Sequence, residues 1–474
     1  MTAKNKFRNT IFLTLFVAFS LIFIFRSPLK VYIKDQISEI TYLKLSWVKS
    51  ILTGNDFGFY NYENKLADQF SNINDYINNQ QFGFSIKLNT NNNLNIYNVP
   101  PIFPGLGINE VNTAYIDFHK NDLIYATKNG VFFNVKIDKN FMHFKPIKTN
   151  ISEFLIKRLE QKKSSINYFN PFTISKLGIK DIFVDENTIY VSYIKSNNKG
   201  GYNTAIINAE ISDSLKFNTF FTTKNYIASK NKEFSLLQSG GRIVNYKKDS
   251  LLFSVGDYRD RMSAQNTNTD NGKIIAISKK NSESRVISLG HRNPQGLDYS
   301  VDFDYLISTD HGPSGGDEVN LNIDTKNIKN FGWPISSYGI HYSVGASNTD
   351  SHGGDANRVL KEAPLHKNHI DYGFIEPLIY WNTNPAVSEV KFIEEKEDYN
   401  EFIVSSLGKY TIRRPNSQHL MHYKNDMKNN RTELIRKINV GERIRDIIYN
   451  KNSRRIYFTG ESTGVIGFIN LRSE

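Results

Sequence analysis

Residues 289–302 read LGHRNPQGLDYSVD. A histidine, an arginine and an asparagine stand side by side, and Pro-Gln-Gly then breaks the chain. Nothing in that cluster serves a core, because arginine is rarely buried without a partner. Pro294 disfavours a helical conformation in the residue before it, and Gly296 adds backbone freedom two residues on. The trio His291, Arg292 and Asn293 therefore sits on a fixed, sharply turned piece of chain that either braces a loop or presents donors to a ligand. Further stretches carry side chains of similar use: QSGGRIV and GDYRD within 238–260, DHGPSGGDEVNL at 310–321 followed by NFGWP at 330–334, and later SSLGKYTIRR and GERIRDI. A guanidinium fork meets a carboxylate through two parallel hydrogen bonds. Arg443 and Arg445, two apart, share one face of a strand. The 310–321 run is rich in oxygen donors and glycines, chemistry that a hard cation such as calcium accepts. Its acidic spacing is not that of an EF-hand, and the plainer reading is a loop pinned by its own Asx hydrogen bonds. His291 and His311 each lie inside a turn motif and read as loop braces. No nucleophile paired with a base is visible. The chain has no cysteine, which removes disulfides, thiol nucleophiles and thiolate metal sites.

The elements that must position these residues are short β runs broken by Asn, Asp, Gly and Lys, beginning near residue 86. Examples are DLIYATKNGVFFNVKID, NTIYVSYIK with NTAIINAEI, SLLFSVGDYRD with GKIIAISKK, DYLISTDHG, EFIVSSLGKYTIRRP and RIYFTGESTGVIGFINL. Each is a strand, a polar turn and another strand, recurring at roughly 40–65 residues, the size of one four-stranded blade. Such sheets are too small to stand alone; packed radially they protect one another's faces. The pattern predicts an all-β propeller of about six blades, with a pair of sandwiches as the alternative that periodicity alone leaves open. In a propeller, loops from separate blades converge at one end, which gives the polar trio somewhere to point.

Composition narrows the rest. Of 474 residues 39% are hydrophobic, with Tyr 26 and Phe 33, so the chain is not of disordered type. The formal net charge is +12, but the lysines are scattered, as in KKN and YKNDMKNN, with no basic run and no nucleic-acid motif. They read as a solvated surface rather than a nucleic-acid footprint, with attraction to an anionic membrane or polysaccharide as the alternative. Residues 10–25 are uncharged and apolar, preceded by Lys4, Lys6 and Arg8. Roughly 16 helical residues span about 24 Å, a little short of the hydrocarbon core. Arg-Ser-Pro follows, not a small-residue cleavage site, so the expectation is an anchor within 1–26 that leaves the body on the extracytoplasmic side, or a secreted protein if the segment is cleaved. Apolar residues every three or four positions from Ile33 to Ile51 predict an amphipathic helix, within a helical stalk and linker over 27–85. The propeller is then 86–474.

In this order, the chemistry-bearing stretches resemble the soluble glucose/sorbosone dehydrogenase family, six-bladed propellers that use pyrroloquinoline quinone (PQQ). The resemblance covers roughly 170–474, and GHRNPQGL with the GP-x-GGDE-x-N and GWP succession carries it. It implies that Arg292 and Asn293 face the quinone, that Arg443 and Arg445 hold its carboxylates, and that Lys409 lies near the family's cofactor lysine, displaced by one residue. It also implies calcium held by the carbonyls of Gly312 and Pro313 and the carboxylates of Asp317 and Glu318. One position departs. The family's base histidine stands four residues before the arginine of the GGR segment; here that arginine is Arg242 and the residue four before it is Gln238. Asp257 matches the aspartate that orients the histidine. A glutamine hydrogen-bonds but accepts no proton near neutral pH. Two expectations follow: a membrane-anchored, PQQ-dependent oxidoreductase acting on a sugar or polyol hydroxyl by hydride transfer, in which Gln238 or Asp257 handles the hydroxyl, or a catalytically degenerate propeller that binds a saccharide or a protein. The electron acceptor is not legible.

Overall fold

The computed structural model describes residues 84–91, 94–97, 113–128, 130–155, 178–197, 201–228, 235–342, 356–408, 418–461 and 464–471. The apolar run 10–25, the periodic segment 33–51 and Lys409 lie outside them. Among the described residues no helix is long and apolar enough to cross a membrane.

Six sheets follow one another along the chain, antiparallel except for short parallel edge pairings at Ser214–Leu215 and Lys329–Asn330. Their inner strands are Ala114–His119 in blade 1, Ile179–Asp185 in blade 2, Gly240–Tyr246 in blade 3, Pro294–Ser300 in blade 4, Val387–Glu395 in blade 5 and Ile444–Asn450 in blade 6. Each inner strand touches that of the next blade, and the sixth touches the first. The ring is closed, which removes the sandwich alternative. The expected blade spacing holds except between blades 4 and 5, where the chain makes loops, the helix Ala356–Glu362 and the edge strand Ile379–Trp381 before blade 5 begins. Closure uses both ends of the described chain: Leu94–Tyr97 pairs antiparallel with the last strand, Ile466–Asn470, and Asn89–Asn91 pairs with Leu94–Tyr97 in turn.

Alternating apolar residues on each strand place one buried row on each face of a sheet, so every sheet needs a neighbour on both sides. The core is accordingly divided into one apolar cluster per blade interface. Ile124 and Phe132 of blade 1 meet Ile182 and Val191 of blade 2. Tyr190 and Ile206 of blade 2 meet Ile243 and Phe253 of blade 3, whose Leu252 and Ile274 meet Leu297 and Leu306 of blade 4. Ile307 of blade 4 meets Val390 and Phe402 of blade 5, Ile403 meets Ile447 and Phe458 of blade 6, and Tyr457 and Phe468 return to Tyr125 and Phe144. Each such side chain contributes about 1.5–3 kcal/mol of burial.

The inner strands leave backbone N–H groups facing the axis, a cost unless something accepts them. Carboxylates from adjacent blades do so. Asp446 accepts from Ile116 N–H at 2.9 Å, Asp117 from Val184 at 2.6 Å, Asp181 from Ile243 at 2.8 Å, Asp298 from Phe392 at 2.8 Å and Glu389 from Leu297 at 3.0 Å. Arg242 sits among them, with Nη1 2.7 Å from both Asp181 and Asp446 and Nε paired with Glu389. One guanidinium thereby joins inner strands of blades 2, 3, 5 and 6. Burial raises the pKa of Asp181 and Glu389, and Arg242 works against that rise.

Candidate functional site

Gly240 lies opposite Val255 and Pro294 opposite Asp310, so the segments just before these inner strands and just after their partner strands share one end of the ring. Those segments are 235–239, 256–261, 290–293 and 311–316, the sequence stretches singled out above.

The GHRN turn is held by Asp310, whose two oxygens accept the successive N–H groups of Arg292 at 3.1 Å and Asn293 at 2.6 Å. His291 is fully buried; its Nε2 lies 2.8 Å from Ser288 Oγ and its Nδ1 3.3 Å from Asp310. It braces the turn, as its place in the motif suggests. Arg292 is thus aimed by its own backbone. Its Nη1 donates to the carbonyls of His311 and Gly312 at 2.7 and 2.8 Å, and its guanidinium lies 5.4 Å from the Trp333 ring and 6.0 Å from that of Tyr342. Trp333 is packed below by Ala264, Ala363 and Leu365.

Gln238 and Asp257 meet beside Arg292. The Gln238 amide donates to Asp257 Oδ1 at 2.9 Å, and its oxygen accepts from Arg292 Nη2 at 2.9 Å and Arg259 Nε at 3.0 Å. Asp257, fully buried, also accepts from Arg259 N–H and from Trp333 Nε1, each at 2.8 Å. Burial pushes its pKa up to about 6, against the pull of Arg292 and these donors. The residue at the family's base position is therefore a fixed neutral bridge between a carboxylate and two guanidiniums.

These groups line a cleft bounded by Gln238, Arg259, Arg261, Arg292, Pro313, Trp333, His341 and Tyr342. Arg259, Arg261 and His341 are not among the residues that the sequence motifs single out. The two arginines were in view inside GDYRD and the residue that follows it. His341 carried no signal, because it reaches the cleft from the loops that follow blade 4. Its Nε2 lies 2.8 Å from the Ala363 carbonyl. A carbonyl accepts only, so Nε2 is the donor in this pair.

Arg443 and Arg445 lie at the same end but outside the cleft lining. They share Glu461, at 3.3 and 2.8 Å, although the strand begins at Ile444 and Arg443 stands just before it. Arg443 also donates to the carbonyls of Leu407 and Gly408. Arg445 donates to Gln295, which donates to Asn293. A continuous polar chain thus runs from the GHRN turn to blade 6. The oxygen-rich loop is braced internally. Gly312 carbonyl carries Arg292, Pro313 carbonyl accepts from Asn384 at 2.6 Å, and Asp317 accepts from the N–H groups of Gly312 and Val387. Glu318 is buried, which raises its pKa well above the usual carboxylate range, beside Asp310; its Oε2 accepts from Asn320 at 3.3 Å. Among the described residues no group of three or more His, Asp or Glu side chains is arranged to hold a metal ion.

A closed ring of six blades that carries its polar site on loops at one mouth defines the class: a β-propeller with a polar site at the channel mouth. The family model for Glucose / Sorbosone dehydrogenase matches residues 173–466, and the chain belongs to that family. It is 28% identical over 227 residues to the aldose sugar dehydrogenase YliI of Escherichia coli K12, a match covering 44% of this chain and about half, 54%, of that relative. The crystal structure of the soluble aldose sugar dehydrogenase from Escherichia coli in its apo form superposes with a TM-score of 0.52 at 20% identity, over 75% of this chain and 94% of the other. A glucose dehydrogenase crystal structure gives 0.53 at 18%, over 76% and 96%. At these identities the structural likeness concerns the fold.

Proposed function

We propose that the protein is a PQQ-dependent dehydrogenase of a sugar hydroxyl, held at the extracytoplasmic face of a membrane by residues 10–25. The observation that carries the reading is the cleft: Arg292, aimed by Asp310, stands between Trp333 and Tyr342 at the turn whose motif marks the family. The donor set suits a planar polyanion, with guanidiniums for carboxylates and aromatic rings for a flat face. Arg292 and Asn293 would hold the quinone end. Arg443 and Arg445, which share Glu461, would face the ligand's carboxylates from the blade 6 side. When bound, PQQ would supply the acceptor for a hydride, that is, for two electrons and one proton. The expected calcium ligands are engaged within the protein, since Arg292 donates to the Gly312 carbonyl and Asp317 closes the loop on itself.

As hydride leaves the carbon of a substrate alcohol, the hydroxyl proton needs an acceptor and a C=O bond forms. Gln238 is fixed and neutral, and both Asp257 oxygens are taken by donors behind it. His341, the one imidazole in the cleft lining among the described residues, would take that proton. The test is dye reduction by the full chain loaded with PQQ. The expected result is turnover of an aldose that falls about 10²–10⁴-fold in His341→Gln with PQQ binding retained. A second reading, a binding module without catalysis, is favoured only by the Gln238 bridge. It would be carried by a loaded protein that turns over nothing until Gln238→His is introduced.

A further inference from the structure

On the inner strands the buried cations are matched by acids: Arg242 by Asp181, Glu389 and Asp446, and Lys391 by Glu389 at 3.7 Å and Asp298 at 3.9 Å. Lys273 is held differently. It opens the strand Lys273–Ser278 of blade 3 and pairs with Val255, at the end of the ring that carries the cleft. It is fully buried. Among the described residues no carboxylate is in ion-pair contact with it, and Asp270, three residues earlier, is turned to the Lys224 N–H at 2.7 Å. Lys273 Nζ donates instead to three backbone carbonyls, those of Ser263 at 2.8 Å, Ala264 at 3.0 Å and Asn271 at 2.8 Å. An ammonium has three N–H bonds, so each one finds an acceptor. Two of these carbonyls end the short 3₁₀ turn Arg261–Ala264, and the third lies where the loop returns to blade 3. Carbonyls gathered in a buried place need donors; the loop closes on itself because Lys273 supplies them.

Three segments of the cleft are tied to this loop. Gly272 N–H donates to the Gly256 carbonyl at 3.2 Å, one residue before Asp257, and the Gly272 carbonyl accepts from His291 N–H at 3.2 Å, one residue before Arg292. The Ala264 carbonyl, already bound by Lys273, also accepts from Gly290 N–H at 3.0 Å. Ala264 packs against Trp333, and Gln265 donates to the Trp333 carbonyl at 2.6 Å. The packing leaves little slack, since a Cβ at Gly272 would stand 2.5 Å from the Ala264 Cβ and 2.7 Å from the His291 carbonyl oxygen. We propose that Lys273 is a positioning residue of the site: its ammonium draws the 261–272 loop together and thereby sets the spacing of Asp257, Arg292 and Trp333. The inference rests on the quinone reading above for the identity of the ligand, and on the loop alone for the clamp.

The experiment uses the full chain and Lys273→Met, which keeps the length of the side chain and removes its donors. Amide hydrogen exchange is followed by mass spectrometry without ligand, and PQQ affinity by absorbance titration. In the variant, exchange over 260–266 and 288–293 is expected to quicken at least about 10-fold, with the strands of blades 1, 2, 5 and 6 exchanging as in the wild type. PQQ affinity is expected to fall at least about 10-fold, the scale of one charge-assisted hydrogen bond lost. A variant with a lower melting temperature but unchanged exchange in those segments overturns the inference. So does quickening spread evenly over all six blades, which is a general loss of stability. Should Lys273→Met fail to fold, Lys273→Gln, which has two donors, is judged by the same two readouts. A wild type that binds no PQQ, beside a variant with the local quickening, overturns the quinone reading and leaves the clamp standing. A wild type that binds PQQ, beside a variant that binds it equally well, does the reverse.

Discussion

At the scale of single residues, Gln238, Asp257 and Arg292 form one hydrogen-bonded unit, and the sequence pointed to all three. It did so because their segments are contiguous motifs. It could not supply His341 as a base, since that side chain joins the others only through the long excursion between blades 4 and 5. Asp257 offers a stability test. Its pKa of about 6 lies above the ordinary value near 4 for an unfolded aspartate. Between those values the folded protein keeps a proton that the unfolded chain has released, so stability falls as pH rises through the window, by up to about 1.4 kcal/mol per pH unit. Urea unfolding at pH 4, 5 and 6 should show this slope, to which buried Asp117, raised to about 7, adds, and Asp257→Asn should reduce it. An unchanged slope in the variant would mean that another group is responsible.

At the scale of elements, the site depends on turns that bring backbones very close. A Cβ at Gly256 would stand 2.2 Å from the Gln238 carbonyl oxygen and 2.9 Å from Gly240 N. Neither is the yielding tip of a side chain, so Gly256→Ala must push the Gln238 turn away from Asp257. The expected cost is about 1–3 kcal/mol of stability by urea unfolding, the usual range for overpacking, with the affinity for PQQ lowered as well. A variant as stable and as tight as wild type would show that the turn has room to move. The Pro-Gln-Gly break after the polar trio is where the strand register shifts, between Pro294 and Gly296 against Asp310 and Thr309. That break was readable from residue types. Asp310, which fixes the turn, was not, because an aspartate heading an oxygen-rich run looks like a metal ligand until its partners are known. The same holds for Asp317, which ties its loop through two backbone N–H groups.

At the scale of the whole molecule, strand–turn–strand repeats made the propeller legible, but neither its closure nor its axis. NTNNNLNIY, residues 89–97, is too polar to announce strands; it forms them because blade 6 presents an open edge at Ile466–Asn470. The axial network was hidden for a related reason, since its acids sit on different strands far apart in the chain and only the ring assembles them. Arg242 carries the largest share of that network. Arg242→Leu would leave Asp181, Glu389 and Asp446 buried without their cation, and about 3–5 kcal/mol of stability should be lost. Urea unfolding reads this directly, and a loss below 1 kcal/mol would show that water enters the axis and screens the acids.

The measurement that bears most directly on the account is equilibrium titration of PQQ into the full chain, followed by the absorbance of the bound quinone, beside the same titration of Arg292→Ala. The expected result is saturable binding at one quinone per chain, weakened at least about 10-fold by the substitution, as loss of a charge-assisted contact implies. Absence of saturable binding, or equal affinity in the two proteins, would contradict a quinone seated on Arg292.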